Sequence, residues 1–265
     1  MITFANAKIN IGLNVLNKRN DGFHNIETII YPIPLYDVIE FVKSDKNEII
    51  TVGNYSKING ENILNKVLQL LNKDFNLPKL KIILLKNIPF QSGLGGASSD
   101  AVSLLKILNN HFNLNLNRNK LLYYAEQICS DCPFFVLNKP ALVQGKGENI
   151  KELPPFLKGK YITIIKPCIN QPTGKAFEKI SKNNKNHINI DKINTAVKDW
   201  KKHFSNDFQQ LFSENNEIQE IINFLNNKGA EYISLTGSGS AVYGIFTKKP
   251  LIFSYKNHFV WTSQI

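Results

Sequence analysis

A chain of 265 residues, 43% of them hydrophobic, is long enough for one large domain or two modest ones and too apolar to be globally disordered. No apolar run approaches the ~18 residues of a membrane span, and Met1-Ile2-Thr3-Phe4-Ala5 lacks the basic-then-apolar pattern of a signal peptide, so a cytoplasmic protein without a membrane partner is expected. The formal charge of +11 would suit nucleic acid or a phosphorylated ligand, but the lysines run with asparagines through segments such as Lys182-Asn183-Asn184-Lys185-Asn186, which reads as compositional bias and not as a basic patch.

In chain order, Lys8 to Val15 alternates, with Ile9, Ile11, Leu13 and Val15 on one face, which predicts a half-buried strand. Lys8 and Asn10 share the other face; Lys8 is either a solvated lysine at a strand start or a placed cation. Lys18 to Gly22 is a turn carrying the Asp-Gly hairpin signal, and Phe23-His24 opens a strand running to Ile30. Asp37 to Val42 and Glu48 to Val52 read as further strands, and Asn62 to Asn72 as a helix with Ile63, Val67 and Leu70 or Leu71 inward.

Leu80 to Leu85 is a buried strand, and after it comes Pro89-Phe90-Gln91-Ser92-Gly93-Leu94-Gly95-Gly96-Ala97-Ser98-Ser99-Asp100. Ala101, Leu104, Leu105, Leu108 and Phe112 follow at helical spacing. A glycine-rich loop therefore joins a strand to a helix N-terminus, where unpaired amides and the positive dipole end favour an anion. The segment is not a Walker A loop, having no Gly-Lys-Ser/Thr, and has Ser98 where a dinucleotide fingerprint needs its third glycine. A phosphate chain is the simplest ligand; the plain alternative is a tight turn in which Ser98 or Ser99 only caps the helix.

Farther on, Asn117 caps a helix through Gln127. Cys129 and Cys132 have Cys-x-x-Cys spacing but no second pair; of a zinc site, a redox pair and small core residues, the reading taken is core residues. Ser130-Asp131-Cys132-Pro133-Phe134-Phe135 reads by itself as a helix-to-strand turn. Ala141 to Gln144 and Tyr161 to Ile165 are strands, with a domain boundary near Pro155. Gln171-Pro172-Thr173-Gly174 leads into a short helix holding Phe177, and residues 181–190 form a polar loop. Phe208 to Asn227 is mostly helical. Strands Glu231 to Leu235 and Val242 to Phe246 flank Thr236-Gly237-Ser238-Gly239-Ser240-Ala241, which is either a glycine hairpin or a set of amides aimed at phosphate. The apolar tail from Pro250 closes a sheet.

The first glycine loop, Pro-x-x-x-Gly-Leu-Gly-Gly-Ala-Ser-Ser-Asp, resembles the ATP-binding motif of the GHMP kinases, with Gln91, Ser92 and Ala97 where small residues or glycine are usual. Ala5-to-Leu13 and the Leu-Thr-Gly-Ser-Gly of the second loop resemble the family's other two motifs, and Asp21-Gly22-Phe23-His24 and Pro172-Thr173-x-x-x-Phe177 resemble the branch whose substrate carries a cytidine diphosphate, with Phe23 where Tyr is usual. The resemblance spans residues 5–246. It implies an α+β, two-domain GHMP kinase fold: a ribosomal-protein-like ATP domain over 1–155 and a ferredoxin-like substrate domain over 156–265. It implies ATP and Mg²⁺ as cofactors, residues 89–99 around the phosphates with Ser99 nearest the metal, and Asp131 as base with Lys8 as its catalytic partner. Phe23 and Phe177 are implied to sandwich the cytosine, with His24, Asn10 and Thr173 around the cytidine substrate and Gly237, Ser238 and Gly239 at its phosphates. The expected partner is a small cytidine diphosphate molecule and no nucleic acid, bound by a monomer or weak homodimer. Two other readings stay open: a GHMP kinase for mevalonate or a sugar, and a noncatalytic nucleotide- or RNA-binding protein, for which the charge of +11 speaks.

Overall fold

The first two strands are longer than alternation alone suggests. In the computed structural model, which describes residues 1–56, 61–180 and 187–265, β1 runs over Ile2–Lys18 and β2 over His24–Lys43. The half-buried face expected for Lys8 to Val15 is absent, because every residue from 8 to 15 is buried. The polar residues are tolerated there because internal hydrogen bonds replace water: Lys8 bonds Asn10, and Asn10 bonds Thr28. The two strands expected over Phe23 to Ile30 and Asp37 to Val42 are one strand, β2, which continues through Pro32 and Pro34. The prolines are accommodated because β2 changes partner around them, pairing one strand over Ile26–Ile30 and another over Val38–Lys43.

Compactness divides the chain into two units, each made of several segments. One comprises Met1–Ala7, Leu35–Phe90 and Gly95–Asn138; the other comprises Lys8–Pro34, Gln91–Leu94 and Lys139–Ile265. In the first unit β3 (Glu48–Val52) lies parallel to β4 (Leu80–Leu85), whose other edge takes the end of β2 antiparallel, with Ile39 opposite Leu84. The connection from β3 to β4 is α1 (Ile63–Asp74), capped by Asn62, which accepts from the Leu64 amide at 3.0 Å. Its buried stripe is Leu64, Val67, Leu68, Leu70 and Leu71, so Ile63 sits beside the apolar face and not on it. Helices α2 (Gly96–His111), α3 (Arg118–Ile128) and α4 (Cys132–Leu137) complete this unit, and Asn117 caps α3 through the Lys120 amide as expected.

The second unit holds β5 (Ala141–Gly145) and β6 (Asn149–Glu152), with β5 antiparallel to the start of β2. It also holds a four-stranded antiparallel sheet of β7 (Tyr161–Lys166), β8 (Tyr232–Leu235), β9 (Val242–Phe246) and β10 (Phe259–Gln264). Their order, β10-β7-β9-β8, is that of a ferredoxin-like sheet. Between β7 and β8 run α5 (Thr173–Lys179) and α6 (Asn216–Asn227), and Ile218, Ile221 and Leu225 of α6 pack with Ile165, Leu235, Val242 and Phe246. The helix expected from Phe208 begins instead as a 3-10 segment, Asp207–Phe212, and restarts at α6 because Asn215 caps that helix through the Ile218 amide. The tail does close the sheet, as β10 on the edge of β7, while Leu251 and Phe253 remain exposed.

The polar loop expected over 181–190 falls mainly on residues 181–186, which lie outside the described residues. Cys129 and Cys132 are joined as a disulfide and do not stand as separate core thiols, and Cys168 is exposed. No helix among the described residues is long and apolar enough to cross a membrane.

Candidate active site

In the second unit, Lys8 is 3% exposed, so it is not a solvated lysine. Its Nζ donates to Asn10 Oδ1 at 2.6 Å, and its amide donates to the Leu94 carbonyl at 2.9 Å. Asn10, expected at the substrate, is buried, and its side chain is engaged by Lys8, Thr28 and Thr236.

The two glycine-rich loops meet here. A Cβ on Gly93, at φ +76, would lie 1.9 Å from the Thr236 carbonyl oxygen, and one on Gly237 would lie 3.1 Å from the Gly93 Cα. These glycines thus let backbone approach backbone. The Thr236 hydroxyl bonds the Gly93 carbonyl at 3.0 Å, and the Ala241 amide donates to the Ser92 carbonyl at 3.2 Å. Asn206 holds the second loop from behind, its Nδ2 donating to the carbonyls of Leu235 at 3.0 Å and Gly237 at 2.9 Å. Thr173, at the start of α5, shares a hydrogen bond of 3.2 Å with Ser238. Thr236 and Asn206 escaped the sequence reading; Thr236 lay in plain view inside the Leu-Thr-Gly-Ser-Gly motif, while nothing local marked Asn206.

The ring parallel to Phe177 is His24, with centroids 5.2 Å apart and planes at 21°. Phe208 meets Phe177 edge-on at 4.8 Å. Phe23 is 49% exposed and carries the Lys146 ammonium 5.4 Å over its face. Phe177 thus has its stacking contact with His24 and not with Phe23, because the Asp21-Gly22 turn leaves Phe23 outward. Burial, then the charge of Lys18, pushes the His24 imidazole below its ordinary pKa, favouring the neutral ring.

In the first unit, Asp131 stands at the N-cap of α4, inside the four-residue span closed by the disulfide. The segment read as a turn is therefore a helix start, with Pro133 in its first turn, where a missing amide costs nothing. The Asp131 carboxylate does not cap that helix. Ser98 Oγ lies 3.1 Å from Cys129 Sγ, which brings the first turn of α2 to the Asp131 segment.

The ends of the first loop are bolted by a buried cluster of one lysine and two aspartates that the sequence alone did not reveal. Lys86 Nζ bonds Asp37 and, at 2.7 Å, Asp100 on α2. Asp37 Oδ1 also accepts from the amides of Asn87 at 2.6 Å and Ile88 at 2.8 Å. The same Nζ lies 5.3 Å from the Phe90 ring centroid and 3.2 Å from where a Gly96 Cβ would stand. Asp100 Oδ1 is buried with no hydrogen-bond partner among the described residues. Burial, and then the charge of Asp37, push the Asp100 carboxyl up to about 8, against the pull of Lys86.

Along the loop itself, Gln91 has φ 47, a left-handed conformation costing roughly 1–2 kcal/mol outside glycine. Gly95, at φ 72, takes the N-cap place of α2. Ala97 falls inside that helix and is exposed, and Ser99 is 1% exposed with its amide bonded to the Gly95 carbonyl at 3.0 Å. No group of three His, Cys, Asp or Glu suited to a metal occurs among the described residues.

The pattern of the GHMP kinases N terminal domain matches residues 62–139, and that of the GHMP kinases C terminal domain matches residues 191–252. The chain is 41% identical over 258 residues to the 4-diphosphocytidyl-2-C-methyl-D-erythritol kinase of Bacteroides fragilis, covering 95% of this chain and 94% of the relative. It is 38% identical over 271 residues to the protein of that name from Parabacteroides distasonis, covering 100% of both. Among solved structures, that of a 4-(cytidine 5'-diphospho)-2C-methyl-D-erythritol kinase superposes with a TM-score of 0.75 at 25% identity, covering 92% of this chain and 90% of the other.

Proposed function

Because the chain belongs to the GHMP kinases, and within them to the 4-diphosphocytidyl-2-C-methyl-D-erythritol kinases, we propose that it moves the γ-phosphoryl group of ATP onto the 2-hydroxyl of 4-diphosphocytidyl-2-C-methyl-D-erythritol, a step toward isoprenoid precursors outside the mevalonate route. The observation that carries this reading beyond kinship is the second unit's own chemistry. A buried lysine, two glycine loops in backbone contact and a stack of His24 on Phe177 occur in it.

A tertiary hydroxyl is crowded and barely acidic, so the enzyme has to orient it and remove its proton. In this reading Asp131 accepts the proton, a role worth ~10²–10⁴ in rate. Lys8 steadies charge on the transferring phosphoryl. Residues 89–99 lie along the ATP phosphates, their amides and the α2 dipole supplying the donors. Mg²⁺ is held mostly by phosphate oxygens and water with one or two protein ligands, and the Ser99 hydroxyl at the start of α2 would be the protein oxygen beside it. Such an ion would draw charge from the β- and γ-phosphates. Phe177, His24 and Phe23 provide the cytidine pocket, with Thr173 and the 237–239 loop at the diphosphate. On function, the chain divides near Pro155 into ATP-binding and substrate segments, acting in the cytoplasm as a monomer or weak homodimer.

A coupled assay of ADP release, with the diphosphocytidyl substrate beside mevalonate and galactose, tests this. Turnover confined to the first substrate is expected; turnover with mevalonate or galactose instead rejects the assignment.

A further inference from the structure

We propose that Thr236 is a positioning residue for phosphoryl transfer: its buried hydroxyl locks Asn10, and through Asn10 the Lys8 ammonium, onto the carbonyl of Gly93 in the first glycine loop. The inference rests on the kinase reading for its consequence in rate, but on geometry alone for the linkage.

The linkage follows from counting protons. Thr236 is fully buried and its hydroxyl has one proton and two lone pairs. The backbone amide of Asn10 donates to that oxygen at 3.2 Å, and the hydroxyl's one proton is shared between the Gly93 carbonyl at 3.0 Å and Asn10 Oδ1 at 3.3 Å. One oxygen therefore joins β1, the first glycine loop and the second. The side-chain amide of Asn10 is fixed in sense too. Thr28 Oγ1 spends its proton on the Gly12 carbonyl at 2.6 Å, so it can only accept from Asn10 Nδ2 at 3.0 Å. The carbonyl end of Asn10 must then face Lys8, whose Nζ it accepts at 2.6 Å. Without the Thr236 hydroxyl, the backbone amide of Asn10 and the Gly93 carbonyl lose a partner, and Asn10 Oδ1, which accepts from Lys8, loses the hydroxyl that neighbours it.

The test compares Thr236→Val, which keeps shape and removes the hydroxyl, with Thr236→Ser, which keeps the hydroxyl. Two readouts are taken on folded protein: steady-state kinetics, and the rate at which Lys8 is acetylated by acetic anhydride, followed by peptide mass spectrometry. For Thr236→Val, kcat should fall about 10- to 100-fold, the range set by losing a buried hydrogen bond to a charged-group network, with both KM values within about 3-fold. Lys8 should acetylate at least about 5-fold faster, since a released lysine exchanges burial for solvent. Thr236→Ser should restore both. A role in stability alone would lower the melting temperature and leave Lys8 reactivity unmoved. Should Thr236→Val fail to fold, Thr236→Ala carries the same readouts. Unchanged Lys8 acetylation in the folded variant overturns the inference. If the wild type turns over no cytidine substrate, the kinase reading fails by itself, and acetylation still decides the linkage.

Discussion

At the scale of single residues, Asp131 and Asp100 show how placement decides what a carboxylate can do. Asp131 starts a short helix without capping it, whereas Asp100 is sealed against Lys86 and Asp37. If Asp131 is the base, Asp131→Asn should lower kcat by ~10²–10⁴ while ATP affinity by calorimetry changes little; near-normal turnover would remove it from that role. Asp100 leads to a prediction in pH. Its carboxyl, pushed up to about 8, keeps a proton that the unfolded chain releases near an ordinary carboxylate pKa of ~3.9. Its stabilising contribution is therefore complete below ~4 and is lost as pH rises through about 8. The charged groups facing it are Lys86 and Asp37. Asp100→Asn removes this titration, so urea midpoints at pH 5 and pH 8 should differ less for the variant than for the wild type. Parallel losses in the two proteins would contradict it.

At the scale of elements, the two glycine loops are one structure. The sequence reading assigns their glycines to close approach of phosphate, and the geometry gives Gly93 and Gly237 another task, the approach of one loop's backbone to the other's. Gly93→Ala puts a methyl against the Thr236 carbonyl and forces alanine into φ +76. The strain of the left-handed conformation, ~1–2 kcal/mol, and overpacking of ~1–3 kcal/mol should together cost about 2–5 kcal/mol in denaturant unfolding. An alanine variant of wild-type stability would mean that the loops do not need this contact. Gly95, by contrast, belongs to the N-terminus of α2, so its role is in the turn that aims the helix amides.

At the scale of the whole molecule, the charge of +11 is the one global property that points away from a small-molecule kinase. A protein that grips a polyanion through many phosphate contacts loses about 10³–10⁵ in affinity between 50 and 200 mM salt. A kinase holding one nucleotide and one diphosphate through amides, hydroxyls and rings should change its KM for the cytidine substrate by less than about 10-fold over that range. A steep salt dependence, with RNA competing for the site, would favour the binding-protein reading.

What the sequence determined by itself is local. Strand β4 was legible to the residue, as were the Asn117 cap, the loop between strand and helix, and β9. Such features depend on periodicity, capping and turn chemistry acting over a few neighbouring residues. The sequence motifs also carried the family. Tertiary structure alone decided that Asn10 accepts from Lys8, that His24 lies on Phe177, and that Lys86 holds two aspartates. The Thr236 contacts to Asn10 and Gly93 bridge separations of 226 and 143 residues. No propensity spans such distances; the path of the folded chain creates the contact, and burial then makes each hydrogen bond obligatory.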